Sequence, residues 1–579
     1  MTFMHPSLIA AERLSPAFHL PSGLSDNPGI GHLLLCQDRL LDAFTLASQI
    51  PSQHLFLADF PGVHRESLFG ALAQSAPVPP RELVARRNEA GTQLVWETAR
   101  QGEHGTLARE QGLFTVLAHQ IKRADLLGFM AEDANGKPQY RPGALASYPY
   151  VFICVEAIYR REGLWQLLLD VLDKGSYRVG KDMQVPLQST IILVGSALQY
   201  SELRAHDSSF SRHFPLLGEM AHELNLTVKS EQEYGLWLKA LAHECGFQLD
   251  DSAMAPLFSF ASRECEHQQR LSLSGQDMVQ LFAQAAVYGR SDRLDSSAID
   301  KAIKQLTRRH NSSERFSAQS FDDSFINLPT SGEMIGQING LTVIDSVDYA
   351  YGEPARITAT VHYGDGEVAD IERKSELGGN IHAKGMMILS ACLYRIFGRD
   401  APLHLNANIV FEQSYQEIDG DSASLAEYCC LMSAIAEQPI KQSLAITGAL
   451  DQFGNVQAIG GVNEKIEGFF NLCERRGLSG EQGVIIPKAN MLQLNLDKKV
   501  IDAVSKELFH IYQVAHMDEA VELLMALPAG KADEEHNFPE NTLYGLVQAR
   551  LDKLAGDEPM DEPTGIFASL LAKWPFSRA

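Results

Sequence analysis

The chain has 579 residues, 45% hydrophobic and 21% charged, which is globular in composition and too long for a single core; at about 150 residues per domain it divides into several units. Its net charge of −24, from 73 acidic against 49 basic side chains, disfavours nucleic acid or an anionic membrane as a partner. The opening MTFMHPSLIAAERLSP lacks the basic, apolar and small-residue order of a secretory signal, and no apolar run nears the ~20 residues that span a bilayer, so a cytoplasmic protein is expected.

Residues 1–228 alternate short apolar runs, HLFLADF (54–60), YVFICVEA (150–157) and STIILVGS (189–196), with helical patterns such as GLWQLLLDVLDKG. That alternation predicts a parallel α/β sheet. FLADFPGVHRESLFGAL follows the first strand and precedes a helix, where a phosphate-binding loop belongs. Its chemistry departs from G-x-x-x-x-G-K-[ST]. Gly62 is kept, but Asp59 and His64 stand at the two motif glycines, Arg65 at the lysine and Glu66 at the hydroxyl. Glu66 sets a carboxylate where phosphate and magnesium would crowd, and the second apolar strand offers Glu156 in place of an aspartate. Gly62, Arg65 and Glu156 are the candidate nucleotide residues of a loop that argues against ATP hydrolysis.

Residues 229–316 carry successive helical patterns and predict a small all-helical domain. His243-x-Cys245 and Cys265-x-His267 fall within it, but residues two apart do not share a helix face, so no metal site is expected. The eight cysteines are sparse and mostly set among apolar neighbours, as buried free thiols would be. HNSSERFSAQSFDDS (310–324) reads as a polar linker.

Strand patterns return over 324–528. ARITATVHYGDGEVADIE predicts a hairpin about Asp365-Gly366, and Leu405, Ala407, Ile409 and Phe411 alternate along one strand face. Helices are expected at 384–396, 422–436 and 463–476, making a second α/β domain. Residues 529–579 open on an acidic joint and continue into NTLYGLVQARLDKLAG. There Leu543, Leu546, Val547, Leu551 and Leu554 share a face for docking on the body or on a neighbouring subunit.

Two segments in this second domain carry chemistry. In QEIDGDSASLAEYCC (416–430) Ser422 follows a turn and is expected to open a helix; alone, it reads as a cap. In AIGGVNEKIEGFF (458–470) Lys465 begins a helix whose Ile466, Phe469 and Cys473 point inward; alone, it reads as a solvated lysine. A lysine on the buried edge of such a helix favours the neutral amine, which can take a proton from a serine hydroxyl.

Together, FEQSYQEIDGDSAS, AITGALDQFGNVQAIGGVNEKIEGFF and EQGVIIP resemble the proteolytic domain of Lon proteases, most nearly the LonB-like branch with a diverged AAA+ region. The resemblance implies that Ser422 is the nucleophile, Lys465 its base and Thr447 the residue that orients the lysine. It implies an α/β multidomain protein: a degenerate AAA+-like domain, a helical lid and an α/β Lon domain. It also implies a ring, usually a hexamer, that hydrolyses unfolded polypeptides with no cofactor for the peptide chemistry. Mg-ATP stays open, opposed by the loop at 59–66. A non-proteolytic ring scaffold and a conventional ATP-dependent Lon protease are the alternatives. Among neighbouring groups, Ser424 reads as a helix-start residue, Lys384 as a rival base on sequence alone, and His382 as structural or exposed. Glu412 and Asp419 read as residues that shape the active loop or the substrate groove.

Overall fold

The structure is a computed structural model that describes residues 7–88, 91–99, 106–133, 136–180, 183–346, 349–364, 366–374, 377–399, 403–414 and 418–556. Asp365, Tyr415 and the tail beyond 556, each part of a sequence expectation, lie outside the described residues. The chain forms two compact units. One comprises Phe18–Cys265 and Gln269–Gln305; the other comprises Leu306 onward with the N-terminal segment and Glu266–Gln268.

In the first unit, strands β1 (Leu55–Ala58), β2 (Phe114–Leu117), β3 (Tyr150–Cys154), β4 (Thr190–Gly195) and β5 (Leu216–Glu219) make a parallel sheet in the order β5-β1-β4-β3-β2. Burial on both faces explains the continuous apolar runs. Phe56, Ile191 and Leu193 pack on one side, and Leu55, Leu57, Ile192 and Val194 on the other. Helix α1 (Arg65–Ser75) follows β1. Residues 81–142 hold antiparallel strands that the sequence reading did not separate, namely Arg81–Asn88 paired with Gly91–Thr98 and Thr106–Arg109, and Gly128–Glu132 paired with Pro138–Pro142. Helices α2 (Glu231–Glu244), α3 (Met254–Glu264), α4 (Gly275–Gly289) and α5 (Ser296–His310) follow, with Tyr234, Phe258 and Phe282 fully buried among the first three.

The second unit corrects two expectations. Residues 310–324 are not a linker, because Ser312–Asp322 forms helix α6. Two of its polar side chains bond to the neighbouring strand: Tyr349 donates to Glu314 at 2.7 Å, and Ser317 donates to Glu353, while Phe321 is buried. The predicted hairpin about Asp365-Gly366 is also absent among the described residues. The hairpin is instead β6 (Gln337–Ser346) with β7 (Tyr349–Tyr363). The next short strand, β8 (Val368–Asp370), lies across β9 (Leu405–Glu412), which pairs antiparallel with β7 from Arg356↔Glu412 to Tyr363↔Leu405. The long alternating β9 offers β7 eight paired positions, which the three-residue β8 cannot match.

Strands β10 (Leu444–Ile446), β11 (Gly483–Pro487) and β12 (His510–Val514) complete a seven-stranded sheet ordered β8-β9-β7-β6-β10-β11-β12. Helices α7 (Asn380–Phe397), α8 (Ser424–Ala436) and α9 (Val462–Arg476) pack on it, and α8 is buried along nearly its whole length. The chain start also belongs here: Ile9 donates its amide to Ile511 O at 2.9 Å, and Leu14 is fully buried.

Of the two destinations expected for the C-terminal helix, α10 (Leu543–Gly556) takes the body. Leu543, Val547 and Leu551 are buried in the α8 core, with Leu546 and Leu554 partly covered. Tyr428 of α8 donates to the Tyr544 hydroxyl at 3.2 Å, and Tyr544 donates to Asp518 at 2.5 Å. No helix among the described residues is long and apolar enough to cross a membrane.

A charge at the centre of this contact has no partner, so Val547→Asp is expected to cost roughly 3 kcal/mol or more. Chemical denaturation of the full chain measures it, and Arg550→Ala at the helix's partly exposed edge serves as the near-neutral control.

Candidate active site

Three elements converge on Ser422. The loop Ile418–Ala423 carries it, with Gly420 at φ +125 to make the turn. Ser422 does not open a helix as the sequence reading had it; α8 begins at Ser424, with Ala423 as N-cap and no side-chain cap. The misplacement has a local cause in the Ser-Ala-Ser sequence. Ser424 is the buried serine at the helix start, donating to Asp421 O at 2.8 Å and accepting from the Leu450 amide at 2.9 Å. Those bonds hold Ser424 and leave the Ser422 hydroxyl to the groove.

Thr447 follows β10, its amide bonded to Ile485 O of β11 at 3.1 Å. Its hydroxyl donates to Ser422 O at 3.2 Å, and the Gly448 amide bonds the same carbonyl at 2.9 Å. Lys465 lies in the first turn of α9, behind Gly461 at φ +64. Its Nζ donates to Ser422 Oγ at 2.9 Å and to Thr447 Oγ1 at 3.3 Å. The structure thus brings together Ser422, Lys465 and Thr447, the first two separated by 43 residues in sequence.

Lys465 is 4% exposed. Burial pulls its pKa down from 10.5 to about 8, opposed only by the carboxylate of Asp421. Desolvation disfavours the ammonium, and no close anion compensates fully. The helix is held at this depth by glycines that the sequence reading passed over. A Cβ on Gly352 of β7 would lie 2.0 Å from Glu464 O, and one on Gly468 would lie 2.1 Å from Gly352 O. Two missing side chains let the α9 backbone rest on the strand. The available signal was a glycine one turn beyond Lys465 on an otherwise bulky face.

Ser422 and Lys465 open into a cavity of about 570 Å³ with apolar walls from Leu341, Val343, Phe411 and Ile459. Glu412 and Asp419 flank this groove as the sequence reading placed them. Asp419 accepts from the Ile381, His382 and Gly420 amides, and Glu412 accepts from Thr358 Oγ1 at 2.9 Å. Lys384 is exposed, whereas His382 is almost wholly buried.

Gly62, Arg65 and Glu156 lie in the other unit. Gly62 has φ +99, a conformation suited to glycine, and a Cβ there would meet Ser274 Oγ at 2.3 Å. Arg65 donates through Nε to Asp59 at 2.8 Å and through Nη1 to Cys154 Sγ at 3.4 Å. Glu156 is exposed and accepts from Gln199 at 3.5 Å. A nucleoside triphosphate needs a cation free to meet phosphate and an uncontested helix N-terminus. Here the cation is paired to the carboxylate in the loop, and Glu66 stands in the first turn of α1. These residues do not fit Mg-ATP.

A buried lysine amine on a serine hydroxyl, at the wall of a groove, is an arrangement chemically suited to activating that hydroxyl as a nucleophile. Residues 401–527 match the Lon protease (S16) C-terminal proteolytic domain, and residues 248–309 match the archaeal LonB AAA+ ATPase LID domain. A Lon protease homolog of Escherichia coli is 35% identical over 432 residues, covering 71% of this chain and 73% of that protein. One from Haemophilus influenzae is 40% identical over 335 residues, covering 57% of this chain but only 55% of its own length. An archaeal Lon protease of Archaeoglobus fulgidus is 26% identical over 276 residues, 47% of this chain and 42% of that one. The chain belongs to the Lon protease family.

Two substitutions at this site have opposite signs. A folded-state lysine pKa of about 8 means that folding is penalised fully below pH 8, with the penalty relieved as pH rises toward 10.5. Lys465→Met is therefore expected to stabilise the fold at pH 7 by up to about 3 kcal/mol, shrinking at pH 10. Gly352→Ala overpacks the α9 contact and is expected to destabilise by roughly 1–3 kcal/mol. Urea denaturation at both pH values checks each sign.

Proposed function

We propose that the chain is a serine endopeptidase in which Ser422 is the nucleophile and Lys465 the general base. The observation that carries this reading is the 2.9 Å contact between a buried lysine Nζ and Ser422 Oγ. Neutral Lys465 takes the Ser422 proton as Oγ attacks the scissile carbonyl, and Thr447 fixes the amine by its second hydrogen bond. The tetrahedral oxyanion requires amide donors. Among the described residues the Ser422 and Ala423 amides make no hydrogen bond, and they stand beside the hydroxyl at the entry to α8. The lysine then gives its proton to the leaving amine. Lys465, neutral again, takes a proton from the water that attacks the acyl group and returns it to Ser422 Oγ as the acid product leaves.

The substrates in this reading are unfolded polypeptides and peptides in the cytoplasm, cut inside a homo-oligomeric ring, a hexamer by likeness to the family. Hydrolysis proceeds without ATP, because Arg65 is committed to Asp59. A purified-protein casein assay with and without Mg-ATP tests all of this. The expected result is degradation by the wild type in both conditions, and a loss of at least a hundredfold in both Ser422→Ala and Lys465→Ala. Strict ATP dependence would refute the reading of residues 59–66. No cleavage in either condition would favour a ring-forming scaffold.

The pH dependence follows from the same amine. Only neutral Lys465 can accept the proton, so kcat/KM for a short fluorogenic peptide is expected to rise with pH through about 8. Lys465→Arg, which stays protonated throughout, is expected to be inactive at every pH.

A further inference from the structure

The proposed hydrolysis leaves unused a group of four buried ionisable side chains in the catalytic unit. His382 in the first turn of α7, Glu427 on α8, Asp370 at the end of β8 and Glu372 just beyond it are 1%, 1%, 7% and 3% exposed. His382 Nε2 is 3.1 Å from Asp370 Oδ2 and 3.8 Å from Glu427 Oε1. Both contacts are within ion-pair distance, but neither His382 Nε2 nor Asp370 Oδ2 is aligned in a hydrogen bond among the described residues. Glu372 accepts from the Phe411 amide at 3.0 Å, and Asp370 accepts from the Glu372 amide at 3.0 Å. The Phe411 ring closes one side of the imidazole. The Cys430 thiol on α8 lies in the field of Glu427, and Glu412 on β9 lies in that of Glu372. Lys384, two residues beyond His382, is exposed.

Three carboxylates around one imidazole leave a net negative charge out of water even when the imidazole is protonated, so the group retains a further proton. Burial pushes the Glu427 carboxyl up to about 7, against the attraction of His382 and with the repulsion of Asp370 and Glu372. Burial alone would lower the pKa of His382, but Asp370 and the other carboxylates outweigh it and raise it.

The segments that carry these residues brace the loop of Ser422 through their main chain. Asp419 Oδ1 accepts the Ile381 and His382 amides at 3.0 and 3.3 Å, and Gly385 of the next turn rests on Asp421. On the other side, Ile418 exchanges backbone bonds with Leu377 and Gly379, while the Leu377 and Gly378 amides bond to Glu372 O. Glu427 sits on the helix into which Ser422 leads.

We propose that His382, Glu427, Asp370 and Glu372 form a proton-holding cluster that positions the nucleophile loop, with His382 and Glu427 as positioning residues for hydrolysis. This inference rests on the peptidase reading. When the cluster loses its retained proton, a further bare carboxylate forms beneath the loop and the brace loosens.

Hydrogen exchange of peptides covering 418–424, corrected for the intrinsic pH dependence of exchange, tests the brace in the full chain without requiring catalysis. Wild-type protection is expected to fall about tenfold above pH 7, while Glu427→Gln, fixed in the uncharged form, keeps a flat profile. His382→Gln removes the cation that favours ionised Glu427 and is expected to move the transition to higher pH, a shift that a purely structural role would not produce. In peptide hydrolysis, the wild-type kcat is expected to rise less steeply with pH through about 8 than that of Glu427→Gln, which follows Lys465 alone. An identical pH dependence of exchange in wild type and Glu427→Gln, or none in the wild type, would overturn the proposal. Absence of Ser422-dependent hydrolysis would instead overturn the peptidase reading, with exchange still deciding the fate of the brace.

Discussion

The second unit is organised around one costly placement, a lysine amine taken out of water and set against a serine hydroxyl. In water that amine would be an ammonium and useless as a base. Almost fully covered, with Asp421 as the opposing charge, it is held near the range where the neutral form is populated. The group that would supply the chemistry of the proposed reaction therefore weakens the fold, and the surrounding core must hold α9 down against that penalty. Ile466, Phe469, Phe470 and Cys473 on the same helix bury apolar area, and the close contact of Gly352 with Gly468 sets the depth. Neighbouring core and glycine contact thus have a chemical consequence, because a shallower helix would let water reach the amine and return it to the charged form.

The serine is fixed by a separate route. Thr447 and Gly448 both bond to the carbonyl of Ser422, so the segment whose hydroxyl meets Lys465 also anchors Ser422. Behind the loop, α8 is buried nearly throughout and is backed by α10 through the Tyr428–Tyr544–Asp518 chain. The C-terminal helix is thereby part of the support of the Ser422 loop, although it lies beyond residues 401–527, which match the proteolytic-domain model. A rigid loop and a rigid helix meeting from different sides of the sheet allow a short contact between residues so far apart in sequence.

Much of this was legible in the sequence, for identifiable reasons. Ser422, Lys465 and Thr447 stood out because a nucleophile, a base and a strand-turn hydroxyl recurred within one block of family-like segments. The strands 55–58, 150–154 and 190–195 were visible because burial on both faces makes them continuously apolar. What was missed depended on partners distant in sequence. Helix α6 looked like a linker because it is mostly polar, and the contacts that hold it, Glu314 and Ser317 to β7 and the burial of Phe321, lie with distant residues. The Asp365-Gly366 turn looked like a hairpin because the local pattern cannot reveal that β9 lies between the strands on either side. The helix start was misplaced by two residues because Ser422 and Ser424 are equivalent as letters and differ only in the bonds that Asp421 and Leu450 make to the second. The burial of His382 beside Asp370 needed coordinates too, and the pairing of Arg65 with Asp59, six residues away, needed the course of the loop between them.

The most direct measurement of the central claim is the titration of Lys465 itself. Proteins labelled with ¹³C at the lysine ε-carbon, compared as wild type and Lys465→Met, assign its resonance by difference, and its shift can be followed with pH. A midpoint near 8 is predicted, well below the 10.5 of an ordinary lysine, and it should persist in Ser422→Ala, because burial is its main cause. A midpoint at the ordinary lysine value would contradict the account, since the amine would then be protonated wherever the protein is expected to cut.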